Sequence, residues 1–270
     1  MKKFKTNTAL RRRYAKIAKY WNNEAYAGLR RDDVMPEIIK AACLDKIVTT
    51  NPRILEAMCG TGIVGGAIKE ALEKQNKKCD LFYLDFSKEM LEQISVPSAK
   101  FLGDVRQMPF GDQRFERVFI RNAIHDLDKA SQIYAYSEIH RVLKNGGMFV
   151  LIAYHTTKET QYYYNKLVNF KDELAGNKND SERYFPTKQE YISLFQRAGF
   201  SEIKNNFNFV GRLAYQNTTE LNNEAGEKWK SFVLSMPPEI RAAMNIKIKR
   251  GILEYEFPCA IFTARKKEKR

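Results

Sequence analysis

Between Arg53 and Gly66 an apolar run, RILEAM, leads straight into CGTGIVGG, with Glu56 ahead of the turn and Gly60, Gly62 and Gly65 within it. Glycine at a strand-to-helix turn lets the main chain come close to a bound group, because a Cβ would collide with it. The helix that follows offers its unbonded N–H groups to that ligand. Asp85 ends a second apolar run, LFYLD, where a carboxylate can accept the protons of both ribose hydroxyls. Asp104 ends a third, FLGD, where it can receive a purine amino group. This ordered set is chemistry for a nucleotide cofactor.

A second set of side chains is suited to an acceptor molecule. His125, in RNAIHDL, follows the fourth apolar run, and His155 follows the fifth, MFVLIAY. Both are candidates for a general base or a substrate contact, with His125 the first choice as catalytic group. His140 lies in EIHRVLKNGG and reads as structural. Tyr162, Tyr163 and Tyr164 fall in a polar stretch that could fold over a pocket, and Tyr162 is taken as a substrate contact. Three consecutive tyrosines cannot all face one pocket. Phe207 and Phe209 alternate as strand packing, and Arg11, Arg12 and Arg13 read as a solvated helix face.

Positioning these groups takes alternating strands and helices. Two helices, about Leu10–Trp21 and Pro36–Leu44, precede the first strand. From Arg53 onward strands and helices alternate, with a helix near Lys129–Leu143, a turn at Lys144–Gly147 and the buried strand MFVLIAY. Such alternation implies an α/β fold, a doubly wound parallel sheet with helices on both faces. Residues 156–187 read as an irregular insertion and 212–250 as further helical material, with Pro237-Pro238 opening a short helix. Residues 1–50 are taken as a helical cover and 51–270 as the cofactor domain.

Composition sets the limits. The chain has 270 residues, 44% of them hydrophobic, which is enough for a full core. The net charge of +14 resembles a nucleic-acid signature until it is located. Residues 1–20 carry eight Lys or Arg and no acid, and residues 265–270 a net +4, which leaves +2 for the body. Solvated basic tails explain this as well as RNA or an anionic surface would. Cys43, Cys59, Cys79 and Cys259 form no C-x-x-C pair, so no metal site is expected and a reducing, cytoplasmic setting is. No apolar run is long enough to span a bilayer.

EAMCGTG, Asp85, Asp104 and the VLKNGG before the fifth strand, taken in order, resemble the class I S-adenosylmethionine-dependent methyltransferases, in their small-molecule, ubiquinone-biosynthesis-like branch. The resemblance is strong over about residues 50–155. It implies a Rossmann-like sheet of seven strands, the last antiparallel, and S-adenosyl-L-methionine as cofactor. Carried over, it places Glu56, Met58, Gly60, Thr61 and Gly62 around the methionine moiety. Asp85 and Phe86 would hold ribose and adenine, Asp104 and Val105 the adenine edge, and Arg121, Asn122 and Ala123 the methionine end. Tyr20, Trp21 and Tyr26 resemble the aromatic residues of the family's N-terminal cover, and Arg30 or Arg31 could meet the cofactor's carboxylate. Arg121 stands where a small or polar residue is usual.

The implied function is in-line methyl transfer to oxygen, nitrogen or carbon of a small organic acceptor. Two alternatives use the same cofactor: an RNA or protein methyltransferase working through the basic tails, and a fold member with non-methylating chemistry. RNAI is not the Asn/Asp-Pro-Pro-aromatic pattern used on base amines, so a nucleic-acid partner is not favoured. A homodimer stays open. An NAD-dependent oxidoreductase fits the glycine spacing but gives Asp104 and VLKNGG nothing to do.

Overall fold

The computed structural model describes residues 4, 8–22, 32–176, 182–214 and 221–268. Its centre is one sheet with the strand order β3-β2-β1-β4-β5-β8-β6. Strands β1 (Arg53–Ala57), β2 (Asp80–Asp85), β3 (Ala99–Leu102), β4 (Phe115–Arg121) and β5 (Leu143–Tyr154) run parallel. The strand β8 (Ile252–Arg265) is antiparallel to both β5 and β6 (Ser201–Ala214). A short strand, β7 (Lys247–Lys249), forms a hairpin with β8 and adds an eighth strand to the seven expected.

Strands β1, β2, β4 and β5 are buried on both faces because helices cover both, while the edge strand β3 is partly exposed. Alternation along β4 and β5 divides them. Val118, Ile120, Phe149 and Leu151 join the core under helices α5 (Lys129–Val142) and α7 (Lys188–Arg197). Phe119, Val150 and Ile152 join the opposite core, under helices α2 (Met35–Ala41) and α3 (Ile63–Glu73). The turn expected at Lys144–Gly147 is instead a bulge inside β5. Phe115 pairs with Leu143 and Arg117 with Met148, so three extra residues loop out of the ladder.

Side chains at the helix starts set the boundaries. Ser87 caps α4 (Lys88–Glu92), Asp128 caps α5, and Thr187 closes a capping box with Glu190 on α7. Residues 156–187 are not irregular throughout. Gln161–Leu174 forms a helix, α6, that buries Tyr164, Leu167, Val168, Lys171 and Asp172. These positions follow the i, i+3, i+4, i+7, i+8 stripe of a helix lying on a core. Helix α6 packs with α8 (Asn223–Leu234), and α9 (Pro238–Ala243) follows. Together with the β7–β8 hairpin they form a third apolar cluster around Trp229, Tyr255 and Phe257. At the other end, α1 (Thr8–Ile17) and the tight turn after it rest Ile17 and Ala18 on Met90.

Strand order reverses at β1, which has β2 on one side and β4 on the other. In an open parallel sheet the crevice outside the carboxyl ends at this reversal is where ligands bind. Helices α1 and α6 bring their side chains to its rim.

Candidate active site

An open cleft occupies this crevice. Glu56 on β1, Asp85 at the end of β2, Arg121 at the end of β4 and Tyr154 at the end of β5 form its floor. Directly after β1 and β4, Met58 (φ 51°) and Asn122 (φ 48°) take left-handed backbone conformations that non-glycine residues seldom adopt. Both line the cleft.

The β1–β2 end is organised by carboxylates and main-chain N–H groups. One Asp85 oxygen accepts the Gly60 N–H at 2.8 Å and the other accepts the Ser87 N–H at 2.9 Å. Burial nevertheless pushes the Asp85 carboxyl up to about 6. Glu56 accepts the Gly65 N–H at 2.7 Å, and burial pushes it up to about 7. The glycines differ in what they require. At Gly60 (φ +52°) a Cβ would meet nothing within 4 Å, so its α-carbon faces open space. At Gly65 a Cβ would stand 2.5 Å from the Tyr83 hydroxyl, so that glycine serves packing. Tyr14, Trp21 and Phe86 line this end, with Tyr14 edge-on to Trp21 at 6.2 Å and to Phe86 at 5.8 Å between centroids.

The β4–β5 end holds a buried charge cluster over an aromatic wall. The Tyr14 hydroxyl donates to Asp126 Oδ2 at 2.5 Å. Arg183 Nε lies 3.1 Å from Asp126 Oδ1 and 3.3 Å from Asp172 Oδ2, and Arg13 Nη1 lies 3.9 Å from Asp172 Oδ1. Lys171 lines the same end and is buried. Burial pushes Asp126 up to about 7. His125 stacks on Phe185 at 4.5 Å and 20°, and lies edge-on to Tyr154 at 5.2 Å. Burial pushes its imidazole down to about 3, and its Nδ1 has no hydrogen-bond partner among the described residues.

Comparisons with known proteins give the family. Residues 54–147 match the family described as "Methyltransferase domain". A demethylmenaquinone methyltransferase of Staphylococcus epidermidis is 32% identical over 177 residues, which is 58% of this chain and 70% of that protein. The chain belongs to the class I S-adenosylmethionine-dependent methyltransferases. A Lactiplantibacillus plantarum demethylmenaquinone methyltransferase is 28% identical over 196 residues, 64% of this chain and 81% of the relative. Among solved structures, a Bacillus halodurans C-125 protein described as a methyltransferase superposes with a TM-score of 0.72 at 21% identity. It covers 87% of this chain and 99% of its own. A Burkholderia thailandensis N1-methyltransferase, solved with 1,6-didemethyltoxoflavin and S-adenosylhomocysteine, has a TM-score of 0.54 at 12% identity and covers 99% and 93%. This methyltransferase uses S-adenosylmethionine to methylate a small molecule. No helix among the described residues is long and apolar enough to cross a membrane.

The cleft of the methyltransferase gathers Glu56, Met58, Gly60, Thr61, Asp85, Phe86, Arg121, Asn122 and His125. Thr61 also donates to Asn22 Oδ1 at 2.8 Å, tying the glycine loop to the N-terminal segment. Gly62 caps α3 in a left-handed conformation (φ 75°) and packs toward Tyr83, outside the lining.

Other expected residues stand apart from the cleft. Tyr20 is 58% exposed, because α1 stops at Ile17 and the tighter turn that follows carries Trp21 inward instead. Asp104 binds Arg106, with Nη2 at 2.6 Å and Nε at 3.0 Å, and Val105 is buried in the core. His155 follows Tyr154 on the alternating strand, so Tyr154 lines the cleft and His155 does not. Burial pushes His155 down to about 4. Tyr162 is 61% exposed, and only Tyr164 of the three is turned fully into the core. Tyr26, Arg30 and Arg31 lie outside the described residues.

The sequence reading missed Asp126, Lys171, Asp172, Arg183 and Phe185, and it read Arg13 as solvated. The Arg13 side chain is only 12% exposed, while Arg11 and Arg12 remain on the surface. One signal was available: Lys171 and Asp172 fall on the apolar stripe that Tyr164, Leu167 and Val168 begin.

Proposed function

We propose that S-adenosylmethionine lies along the β1–β2 end of the cleft, with its methyl group directed at an acceptor held between His125, Tyr14 and the α6 side chains. Bound there, the cofactor supplies an electrophilic methyl group on a sulfonium. The carrying observation is Asp85, a buried carboxylate beside Gly60, whose open space can take a ligand where a side chain would intrude. Asp85 would hold the ribose hydroxyls, with Phe86 and Met90 flanking the adenine. Arg121, Asn122 and the glycine loop would hold the amino-acid end, and Tyr14 and Trp21 would offer ring faces to the positive sulfur. Asp104 could reach the adenine only by giving up Arg106.

The chain's work is then positional: hold the two reactants in line and exclude water. Where the acceptor arrives as a hydroxyl, His125 Nδ1 and Asp126 are the groups placed to take its proton. Burial makes the imidazole a weak base on its own, so Asp126, 3.7 Å from His125 Nε2 and held up to about 7, is the better-matched partner. We read residues 1–50 as a cover over the cofactor domain at 51–270. The four free cysteines favour the cytoplasm as the site of action. A crystal structure of the S-adenosylhomocysteine complex tests the placement. Ribose on Asp85 and adenine against Phe86 supports it; a nucleotide bound elsewhere overturns it.

A further inference from the structure

The segment Arg183–Phe185 brings two side chains to the β4–β5 end of the cleft, yet it belongs to no helix and to no strand of the sheet. Its main chain is nevertheless met at every N–H and C=O. Asn169 on α6 accepts the Arg183 N–H at 2.9 Å and donates to the Arg183 carbonyl at 3.0 Å. Asn165, one turn earlier, accepts the Phe185 N–H at 2.8 Å. The Phe185 carbonyl accepts from Thr156 Oγ1 and from Gln161 Nε2, each at 3.1 Å. Tyr184 turns its main chain the other way. Its N–H donates to the His125 carbonyl at 3.0 Å, and its carbonyl accepts from Gln132 Nε2 on α5 at 2.8 Å.

This is the alternation of an extended strand, and the side chains follow it. Arg183 and Phe185 line the cleft, while the Tyr184 hydroxyl donates instead to Glu190 at 2.6 Å. A buried main-chain group left unmet is costly, and in a sheet a neighbouring strand would meet it. Here amide side chains of α5 and α6 take that part. Asparagine is a poor helix former, and α6 carries two of them four residues apart, on one face, both bound to this segment. Such bonds fix register residue by residue. A slip by one position would carry Tyr184 into the cleft in place of Phe185. In the register observed, Phe185 stacks on His125 at 4.5 Å between ring centroids.

We propose that Asn165 and Asn169 are positioning residues for methyl transfer: they hold the Arg183–Phe185 segment so that Phe185 fixes the His125 ring at the acceptor side of the cleft. This rests on the methyl-transfer reading of the cleft. Neither asparagine lines the cleft, so each acts through the segment it binds.

The test reads histidine imidazole signals by nuclear magnetic resonance in the full chain saturated with S-adenosylhomocysteine. The chain has only three histidines, so each signal can be assigned by substitution. In the wild type, His125 should show no titration near 6.5 and the upfield ring shift of an imidazole stacked on Phe185. Asn165→Ala should move those signals downfield and raise the titration from about 3 toward 6.5. Asn165→Asp keeps an oxygen to accept the Phe185 N–H and should restore the wild-type signals. If Asn165→Ala does not fold, Asn169→Ala serves the same comparison. The His140 signal should stay in place throughout, and S-adenosylhomocysteine affinity should stay within about twofold, as for sites that share no partner. His125 signals that do not move in the alanine variant, or that Asn165→Asp does not restore, would overturn the proposal. So would a His140 signal that moves with His125, because the asparagine would then support the fold at large. Failure of the wild type to bind S-adenosylhomocysteine would overturn the reading of the cleft, whatever the histidine signals show.

Discussion

The Tyr14 hydroxyl donates to the Asp126 carboxylate at 2.5 Å across 112 residues of chain. This one bond ties the N-terminal helix to the turn after β4 and closes the cleft between them. Tyr14→Phe leaves the ring packing on Phe86 but takes a donor from a buried acid. A loss of about 1–3 kcal/mol in unfolding free energy is expected. Urea denaturation measures it, and an unchanged midpoint would show the bond to be idle.

Gly60 and Gly65 should separate under the same substitution. Gly65→Ala drives a Cβ to 2.5 Å from the Tyr83 hydroxyl and should cost about 1–3 kcal/mol of stability through overpacking. Gly60→Ala has free space but a left-handed backbone, so its strain is about 1–2 kcal/mol, and its methyl enters the cleft. Melting temperatures together with cofactor titration distinguish them. Gly60→Ala should show the larger loss of S-adenosylmethionine affinity, and Gly65→Ala should fold less stably.

Cofactor binding should respond to pH in a definite direction. Asp85 and Glu56 are held up to about 6 and about 7 without ligand, and a cationic ligand favours their charged forms. Affinity for S-adenosylmethionine should therefore weaken as pH falls from above about 7 to below about 6. Near neutral pH, binding should release protons. Calorimetry in buffers of different ionisation heat reads that release directly; proton uptake would contradict the assignment.

His125 makes folding itself depend on pH. Its folded value is depressed to about 3 from an ordinary 6.5, so the unfolded chain binds a proton the folded one refuses. The stability tied to this residue is complete above 6.5 and is lost as pH falls toward about 3. His125→Phe keeps a ring against Phe185 and removes the titration. Its acid-denaturation limb should be shallower than that of the wild type over this range, and identical limbs would place the imidazole in water.

Much of the sheet, and several of the residues that line the β1–β2 end of the cleft, were legible in the chain. β1, β2 and β4 read clearly because parallel strands buried on both faces are continuous apolar runs, and Glu56, Asp85 and Arg121 mark their carboxyl ends. The β4–β5 end of the cleft was not legible, for a physical reason. Its residues come from α1, the turn after β4, α6 and the segment reaching Phe185, which pack together only in three dimensions. Lys171 and Asp172 interrupt the apolar stripe of α6, so the segment read as irregular; Lys171 lines the cleft and Asp172 meets Arg13 and Arg183. Asp104 shows a different limit. Its position after β3 was read correctly, but the neighbour that claims its carboxylate, Arg106, carries no sequence mark of that contact.

The most direct test is calorimetric titration of the wild type and Asp85→Ala with S-adenosylmethionine, S-adenosylhomocysteine and NAD. The wild type should bind both sulfur nucleotides at micromolar concentrations and NAD not at all. Asp85→Ala should lose about 1–3 kcal/mol of that affinity with the charge-assisted hydrogen bonds to ribose. Absence of binding by the wild type, or an unchanged affinity in Asp85→Ala, would contradict the placement of the cofactor in this cleft.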